Sequence, residues 1–170
     1  MLAEIKDSPT LAAVAFPGTI PVPVGVAVWA GDPPTSQPSF AYNGLPDGKN
    51  FWNDYTRADF TLTLDPQDFP EDFALTFTPL ASADGPITWR NPGPKDPVDQ
   101  PSYIDNLALS DDSQVLTFTV WNTAVPGRHV IICFTLNVLI TDPDGQVSPY
   151  SSPDPTIINV DPTGPPPVGP

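Results

Sequence analysis

Apolar residues recur most regularly in the segment Arg128–Thr141. Every second position from Val130 to Ile140 is apolar, so these side chains share one face of a predicted strand. Ile131 and Cys133 give the opposite face apolar character as well. We therefore predict a central strand whose outer face is partly covered, as in a sandwich sheet with a loop packed over it.

A second alternating segment, Val115–Asn122, lies shortly before it in the chain. Leu116, Phe118 and Val120 share its inward face, while Thr and Trp occupy the outward positions. The connecting residues 123–127 end in Pro-Gly, a pair that favours a turn. The two segments are predicted to form an antiparallel hairpin at the centre of the fold.

Shorter strand-like segments flank this hairpin. They are Val22–Trp29, Asp59–Leu64, Phe73–Thr78, Ile87–Arg90, Tyr103–Leu109 and Thr156–Val160. Pro21 and Pro23 predict that the first segment is an edge strand or a bulged entry, because proline donates no backbone hydrogen bond to a ladder. Gly31–Asn50 and Asn91–Pro101 are predicted loops.

The loop Gly31–Asn50 contains Phe40 and Tyr42, which are expected to fold back over an open end of the sheets. Phe51–Asp59 is predicted to make one turn of helix. Helix is disfavoured elsewhere, because 26 of the 170 residues are Pro. The pattern predicts an all-β fold, an immunoglobulin-like antiparallel β-sandwich of about seven to nine strands. It forms one domain over 1–160, followed by a Pro-rich tail at 161–170.

The charge balance narrows the classes of partner. Twenty acidic and six basic residues give a formal net charge of −14, which repels nucleic acid and anionic membrane surfaces. The start Met1–Asp7 has no signal-peptide pattern, and prolines interrupt the apolar stretch Leu11–Trp29. Cys133 is the only cysteine, so no intrachain disulfide is expected. These features predict a cytoplasmic protein.

Nucleophilic catalysis has little support in the residue pattern. His129 is the only histidine, and four residues of strand separate it from Cys133 by roughly 13 Å. A catalytic thiol needs its base within hydrogen-bonding reach. The chain also has no Gly-x-Ser-x-Gly, phosphate-binding Gly loop or His-x-x-x-His pair. We predict no catalytic residues, metal site or cofactor.

Carboxylates nevertheless form dense groups. The segment Asp142–Gly145 resembles the first half of a calcium loop, but it has few ligands and fits a turn. The segment Asp111–Ser113, which precedes a predicted strand, also fits a turn. Asp65, Asp68, Glu71 and Asp72 fall within eight residues, which favours a solvated acidic loop over a cation site. A carboxylate enzyme acting through Asp65, Asp68 or Asp72 remains a third hypothesis for the function.

Aromatic residues in or beside the predicted loops are the candidate ligand-binding residues: Trp52, Tyr55, Trp89 and Tyr103. Exposed rings on a sandwich stack on sugar rings or dock a partner protein, since they offer a large apolar area. Burial in the core is the alternative interpretation for each ring. Trp29 and Trp121 are more core-like, because they lie at strand ends.

The last predicted strand lies between two acidic-Pro pairs, Asp154-Pro155 and Asp161-Pro162. This nine-residue segment resembles the small bacterial DP-EP family, although Asp161 stands where the family name implies Glu. The resemblance implies an immunoglobulin-like fold and carries over no catalytic residues.

Two function classes have more support than the carboxylate enzyme. The first is a non-enzymatic module that binds a ligand or protein through end loops and exposed aromatics. The second is a self-assembling structural subunit, a homo-oligomer whose long Thr-rich edge strands pair with another copy.

Overall fold

The computed structural model describes residues 18–160 of the chain, apart from 46–47, 94, 126 and 154. These residues form twelve β-strands and no helix. The strands are β1 (Thr19–Trp29), β2 (Ser39–Asn43), β3 (Asn50–Asn53), β4 (Arg57–Gln67), β5 (Ala74–Phe77), β6 (Ile87–Arg90), β7 (Pro97–Val98), β8 (Ile104–Leu109), β9 (Val115–Trp121), β10 (Val130–Thr141), β11 (Val147–Ser151) and β12 (Thr156–Asn159). The start of the chain and the predicted tail 161–170 lie outside the described residues. Within the described ranges, no helix has the length and apolar character needed to cross a membrane.

Two sheets face each other across one core. Sheet 1 has the order β2-β1-β4-β9-β8, and sheet 2 has the order β3-β12-β10-β6-β7, with β5 and β11 also paired to β10. The predicted all-β sandwich is confirmed, but the described residues form twelve strands where about seven to nine were predicted. Both sheets are mixed rather than purely antiparallel, because β1 runs parallel to β4 and β3 runs parallel to β12. The immunoglobulin-like topology stays a prediction.

The predicted central hairpin is wrong. β9 lies in sheet 1 between β4 and β8, whereas β10 is the central strand of sheet 2. The intervening segment crosses from one sheet to the other, and Asn122 there donates from its backbone N to Thr56 O and from its side-chain Nδ2 to Val160 O. Alternation shows which residues face the core, but two strands facing one core from opposite sheets have the same pattern.

Aromatic rings from both sheets fill the centre of the core. Phe60 and Phe118 project from sheet 1 and stack with centroids 5.0 Å apart. Trp89 of sheet 2 meets Phe118 edge to face at 5.4 Å, and Phe134 completes the group at 6.1 Å from Phe118. Burying rings of this size stabilises the fold by about 1.5–3 kcal/mol each.

The outer face of β10 is covered at its middle, as predicted. Asn137 is buried there, and its Nδ2 donates to Asp84 O, Gly85 O and Thr88 Oγ1. Its Oδ1 accepts a hydrogen bond from Ser151 Oγ. This network holds the β5–β6 loop over the strand.

Two predictions for the first third of the chain are wrong. The segment Gly31–Asn50 contains the strand β2, which pairs with β1, and Tyr42 is buried there and donates from its hydroxyl to Pro153 O of sheet 2. The segment Phe51–Asp59 forms no helical turn, because it contains the end of β3 and the start of β4. Phe51 packs against the core and Asn53 is buried, so period-two burial replaces the predicted helix.

The two early prolines lie at an edge, as predicted. β2 pairs with β1 only over Gly25–Trp29, so the first half of β1 has a neighbour on one side only. Arg57 N donates to Gly18 O, which shows that even-numbered residues of β1 face β4. The nitrogens of Pro21 and Pro23 therefore point to the open side, where no ladder bond is lost.

Candidate functional site

The four candidate aromatics do not form one surface. Trp89 is only 4% exposed and belongs to the core, so it offers no ring face to a ligand. Tyr103 precedes β8 at one edge of sheet 1, where its carbonyl accepts a hydrogen bond from Trp121 N and burial raises the pKa of its hydroxyl. Trp52 lies in β3, at an edge of sheet 2, and Tyr55 lies between β3 and β4.

Two other tryptophans were expected in the core and are exposed. Trp29 is 39% exposed at the end of β1, and Trp121 is 41% exposed at the end of β9. The Arg57 guanidinium lies over the Trp121 ring, 5.1 Å from its centroid. Both rings are the last, outward-facing residues of strands whose inward positions are filled by smaller side chains.

One aromatic and aliphatic surface forms on the outer face of sheet 2. Trp52, Ile158 and Ile131 are aligned in register across β3, β12 and β10. They face outward because the alternate position Phe51 packs against the core. The His129 ring packs edge-on against Trp52, with centroids 5.5 Å apart. We call these four residues the Trp52 surface.

The Trp52 surface is accessible and lies close to positive charge. Ile131 is 39% exposed and His129 is exposed, whereas Ile158 forms the floor. Five Lys and Arg residues occur in the described part of the chain, and four of them lie in sheet 2 or in segments adjoining it: Lys49, Arg90, Lys95 and Arg128. The fifth, Arg57, pairs with Asp59 on sheet 1 at 2.8 Å.

His129 and Cys133 each contact another group, and neither contact forms a catalytic pair. The Cys133 thiol is buried, 3.5 Å from Thr156 Oγ1. His129 is exposed and packs on Trp52. The separation predicted from strand spacing agrees with these placements.

The end of the sandwich opposite to the Trp52 surface is acidic. It comprises the loops 30–38, 65–73, 110–114 and 142–146, which we call the acidic end. Hydrogen bonds join three of them, from Ala30 N to Gln67 O at 3.0 Å and from Leu64 N to Gln114 O at 2.9 Å. These loops contain no Lys, Arg or His. Their nine carboxylates are Asp32, Asp65, Asp68, Glu71, Asp72, Asp111, Asp112, Asp142 and Asp144.

Carboxylates at the acidic end close local turns. Asp142 Oδ1 accepts hydrogen bonds from the backbone N of Asp144 and of Gln146, both at 2.9 Å. Asp112 Oδ1 accepts from Ser110 Oγ and Gln114 N, and these bonds lower the pKa of Asp112. The turn interpretation of these segments is confirmed. No cluster of three or more potential metal ligands occurs among the residues described.

The end nearer the Trp52 surface is held by buried amides. Asn122 Nδ2 donates to three backbone carbonyls, those of Asn53 and Tyr55 at 2.9 Å and that of Val160 at 2.7 Å. Asn53 Nδ2 donates to Asn159 Oδ1 at 2.9 Å, and both side chains are fully buried. We call this end the amide end. Sequence reasoning missed the cluster, although Asn53 and Asn159 fall at inward-facing strand positions.

A small cavity between the sheets provides no alternative site. It lies between the β1–β2 and β3–β12 edges, where Val24, Tyr42 and Phe51 contribute to its lining, and its volume is about 10 Å³. Ligand pockets typically measure about 300–1,000 Å³. This cavity is therefore too small to hold a ligand.

No protein-family model matches the chain, and none of the curated proteins searched matches it. The resemblance to the DP-EP family therefore remains an interpretation of one short segment, of which Asp154, Asp161 and Pro162 lie outside the described residues.

Proposed function

We propose that this protein is a non-enzymatic binding module that docks a partner molecule on the Trp52 surface. The observation that carries the proposal is the row of Trp52, Ile158 and Ile131 beside His129, on the outer face of sheet 2. An indole combines a large apolar area with one hydrogen-bond donor, a combination enriched where proteins bind partners. The neighbouring cations add a charge preference for the partner.

The proposal is favoured over assembly by strand addition, because several sheet edges are protected. Pro149 lies at the middle of β11, with its nitrogen facing away from β10, since the even-numbered neighbours Gln146 and Ser152 bond to that strand. Pro21 and Pro23 protect the open half of β1 in the same way. Proline at these positions removes the donor that an incoming strand would need.

Two further edges are capped by hydrogen bonds. At the start of β8, Ile104 N donates to Pro101 O and Ile104 O accepts from Gln100 Nε2. At the outer side of β5, Phe77 N donates to Ser113 O. Backbone groups that are already bonded do not template a new strand. The edge-pairing hypothesis therefore has less support than surface docking.

Binding to glycan and peptide arrays tests the proposal. The Trp52→Ala variant should lose at least about tenfold in affinity for any probe that the wild type binds, since buried Trp anchors contribute about 2 kcal/mol or more. Trp121→Ala is the control, because Trp121 is an exposed indole on sheet 1, whereas Trp52 is half-buried on sheet 2. Trp52→Phe keeps an aromatic ring and should retain partial affinity. Equal loss in both Ala variants, or unchanged binding by Trp52→Ala, would contradict the assignment of the surface.

A further inference from the structure

We propose that the partner of the Trp52 surface is the acidic end of a second copy of this chain, so that copies associate head to tail. The inference rests on the proposed function, since it names an occupant for the same surface. It differs from strand addition, because side chains rather than sheet edges make the contact.

Charge complementarity is the first argument. The acidic end carries nine carboxylates and no Lys, Arg or His, whereas four of the five described Lys and Arg residues lie in or beside sheet 2. Arg128 directly precedes His129 of the Trp52 surface, and Arg90 lies opposite Cys133, two positions along β10 from Ile131. Positive side chains therefore lie beside the Trp52 surface, although the net charge of the protein is −14.

Screening explains why the net charge does not forbid this contact. At physiological ionic strength, charges separated by more than about 8 Å are largely screened. Only the groups brought together at the interface then contribute strongly, and there the signs are opposite. Repulsion between the rest of the two molecules keeps the association weak. The attraction between opposite charges at the interface makes it weaken further as the salt concentration rises.

Apolar complementarity is the second argument. Trp29 and Val147 are 39% and 49% exposed, and both lie next to loops of the acidic end, at the end of β1 and the start of β11. The Trp52 surface presents Ile131 in the same way. Each of the two surfaces therefore combines exposed apolar area with charge, as in interfaces that have an apolar centre and a charged rim.

The proposed contact is heterologous, which means that it joins two different surfaces of the chain. His129 directly precedes β10 and the turn 142–146 follows it, so the two surfaces lie at opposite ends of a strand of twelve residues. At about 3.3 Å per residue the strand spans roughly 40 Å. When two copies join through two different surfaces, the dimer still has one free Trp52 surface and one free acidic end. Further copies can therefore add to it unless the chain of copies closes into a ring.

Light scattering on two single-surface variants tests the inference. The acidic-end variant carries Asp68→Asn, Glu71→Gln and Asp72→Asn, and Asn tolerates the positive φ of 62° at position 68. The surface variant carries Arg128→Glu and Ile131→Glu, both at exposed positions. The wild type should form a series of oligomers at low salt, about 150 mM NaCl, and at millimolar protein, and should dissociate at about 1 M NaCl, where the Debye length is about 3 Å. Each variant alone should be monomeric.

The mixture of the two variants is decisive. The acidic-end variant keeps its Trp52 surface and the surface variant keeps its acidic end, so an equimolar mixture can form only one intact interface. We expect a one-to-one dimer and no larger species. A monomeric wild type at low salt would overturn the inference, as would oligomers in either variant alone, a monomeric mixture, or a mixture that grows beyond the dimer. A monomeric wild type whose Trp52 surface still binds an array probe would leave the proposed function intact.

Discussion

The amide end and the acidic end of the sandwich use their polar side chains in opposite ways. At the amide end, Asn122 reaches the carbonyl of Asn53, 69 positions away in the sequence. At the acidic end, Asp142 reaches Gln146, four positions away. At the amide end, polar side chains make contacts between the sheets. At the acidic end, they bond to their own turns, and their remaining oxygens are solvated.

This difference determines what each end contributes to the stability and the charge of the protein. A buried carbonyl that loses its donor has no water to replace it, whereas an exposed turn exchanges one partner for another. The amide end therefore holds the sheets together beside the Trp52 surface. At the acidic end the long-range hydrogen bonds between loops join backbone groups. Its carboxylates are therefore needed only in their own turns, and this end can carry negative charge.

The largest effect is expected from Asn122→Ala, which removes the donor shared by three carbonyls at the amide end. The free energy of unfolding should fall by about 2–4 kcal/mol, since truncation of a buried polar network leaves several groups unsatisfied. Urea denaturation followed by tryptophan fluorescence measures the change. Asn43→Ala, at an exposed position in β2, is the control and should stay within about 0.5 kcal/mol of the wild type. A comparable loss in both variants would remove the distinction between Asn122, which is half-buried and bonds three carbonyls, and an exposed Asn.

A smaller effect is expected from Asp142→Ala at the acidic end. The carboxylate accepts two backbone hydrogen bonds but is solvated, so the loss should be about 1 kcal/mol. The same urea experiment applies, with Asp144→Ala as a control that changes the charge equally and removes no hydrogen bond to Asp142 Oδ1. A loss of stability equal to that of Asn122→Ala would contradict the view that the Asp142 carboxylate stabilises only its own turn.

The sequence predicted the acidic end better than the amide end. Turns at Asp111–Ser113 and Asp142–Gly145 were predictable, because Asp, Pro and Gly act on their own neighbours. The alternation in Val115–Asn122 and Arg128–Thr141 identified strands and core faces correctly. It gave the wrong pairing, because burial depends on which face a residue occupies and not on which sheet its strand joins.

The missed features are those set by distant parts of the chain. The row of Trp52, Ile158 and Ile131 forms only because β3 and β10 both pair with β12, and no local pattern records this register. Trp89 was proposed for a loop surface because it lies near Pro-rich segments, yet the opposite sheet supplies the Phe118 ring that buries it. Trp52, by contrast, is half-buried on the outer face of sheet 2, and its role in binding stays a prediction.

The smallest effects concern two carboxylates whose pKa values are lowered for different reasons. Asp59, on sheet 1, accepts hydrogen bonds from Arg57 and from Thr119, and the bond from Arg57 is the main cause of the lowering. For Asp112, at the acidic end, the main cause is the bond from the Ser110 hydroxyl. Arg57→Gln should therefore raise the pKa of Asp59 alone, and Ser110→Ala should raise that of Asp112 alone. Carboxyl ¹³C NMR titration of both residues measures these shifts.

The direction of the lowering fixes how these two groups affect stability. Each folded-state pKa lies below the unfolded value of about 3.9, so the stabilising contribution is present above that pH and is lost as pH falls through the folded pKa. For Asp59, whose side chain is 40% exposed, the contribution should not exceed about 1 kcal/mol, the upper range for exposed ion pairs. The stability difference between wild type and Asp59→Asn should therefore be constant from neutral pH down to about pH 5 and shrink in stronger acid. A difference that grew on acidification would show that Asp59 is more stabilising when protonated, and the pairing with Arg57 would not explain its lowered pKa.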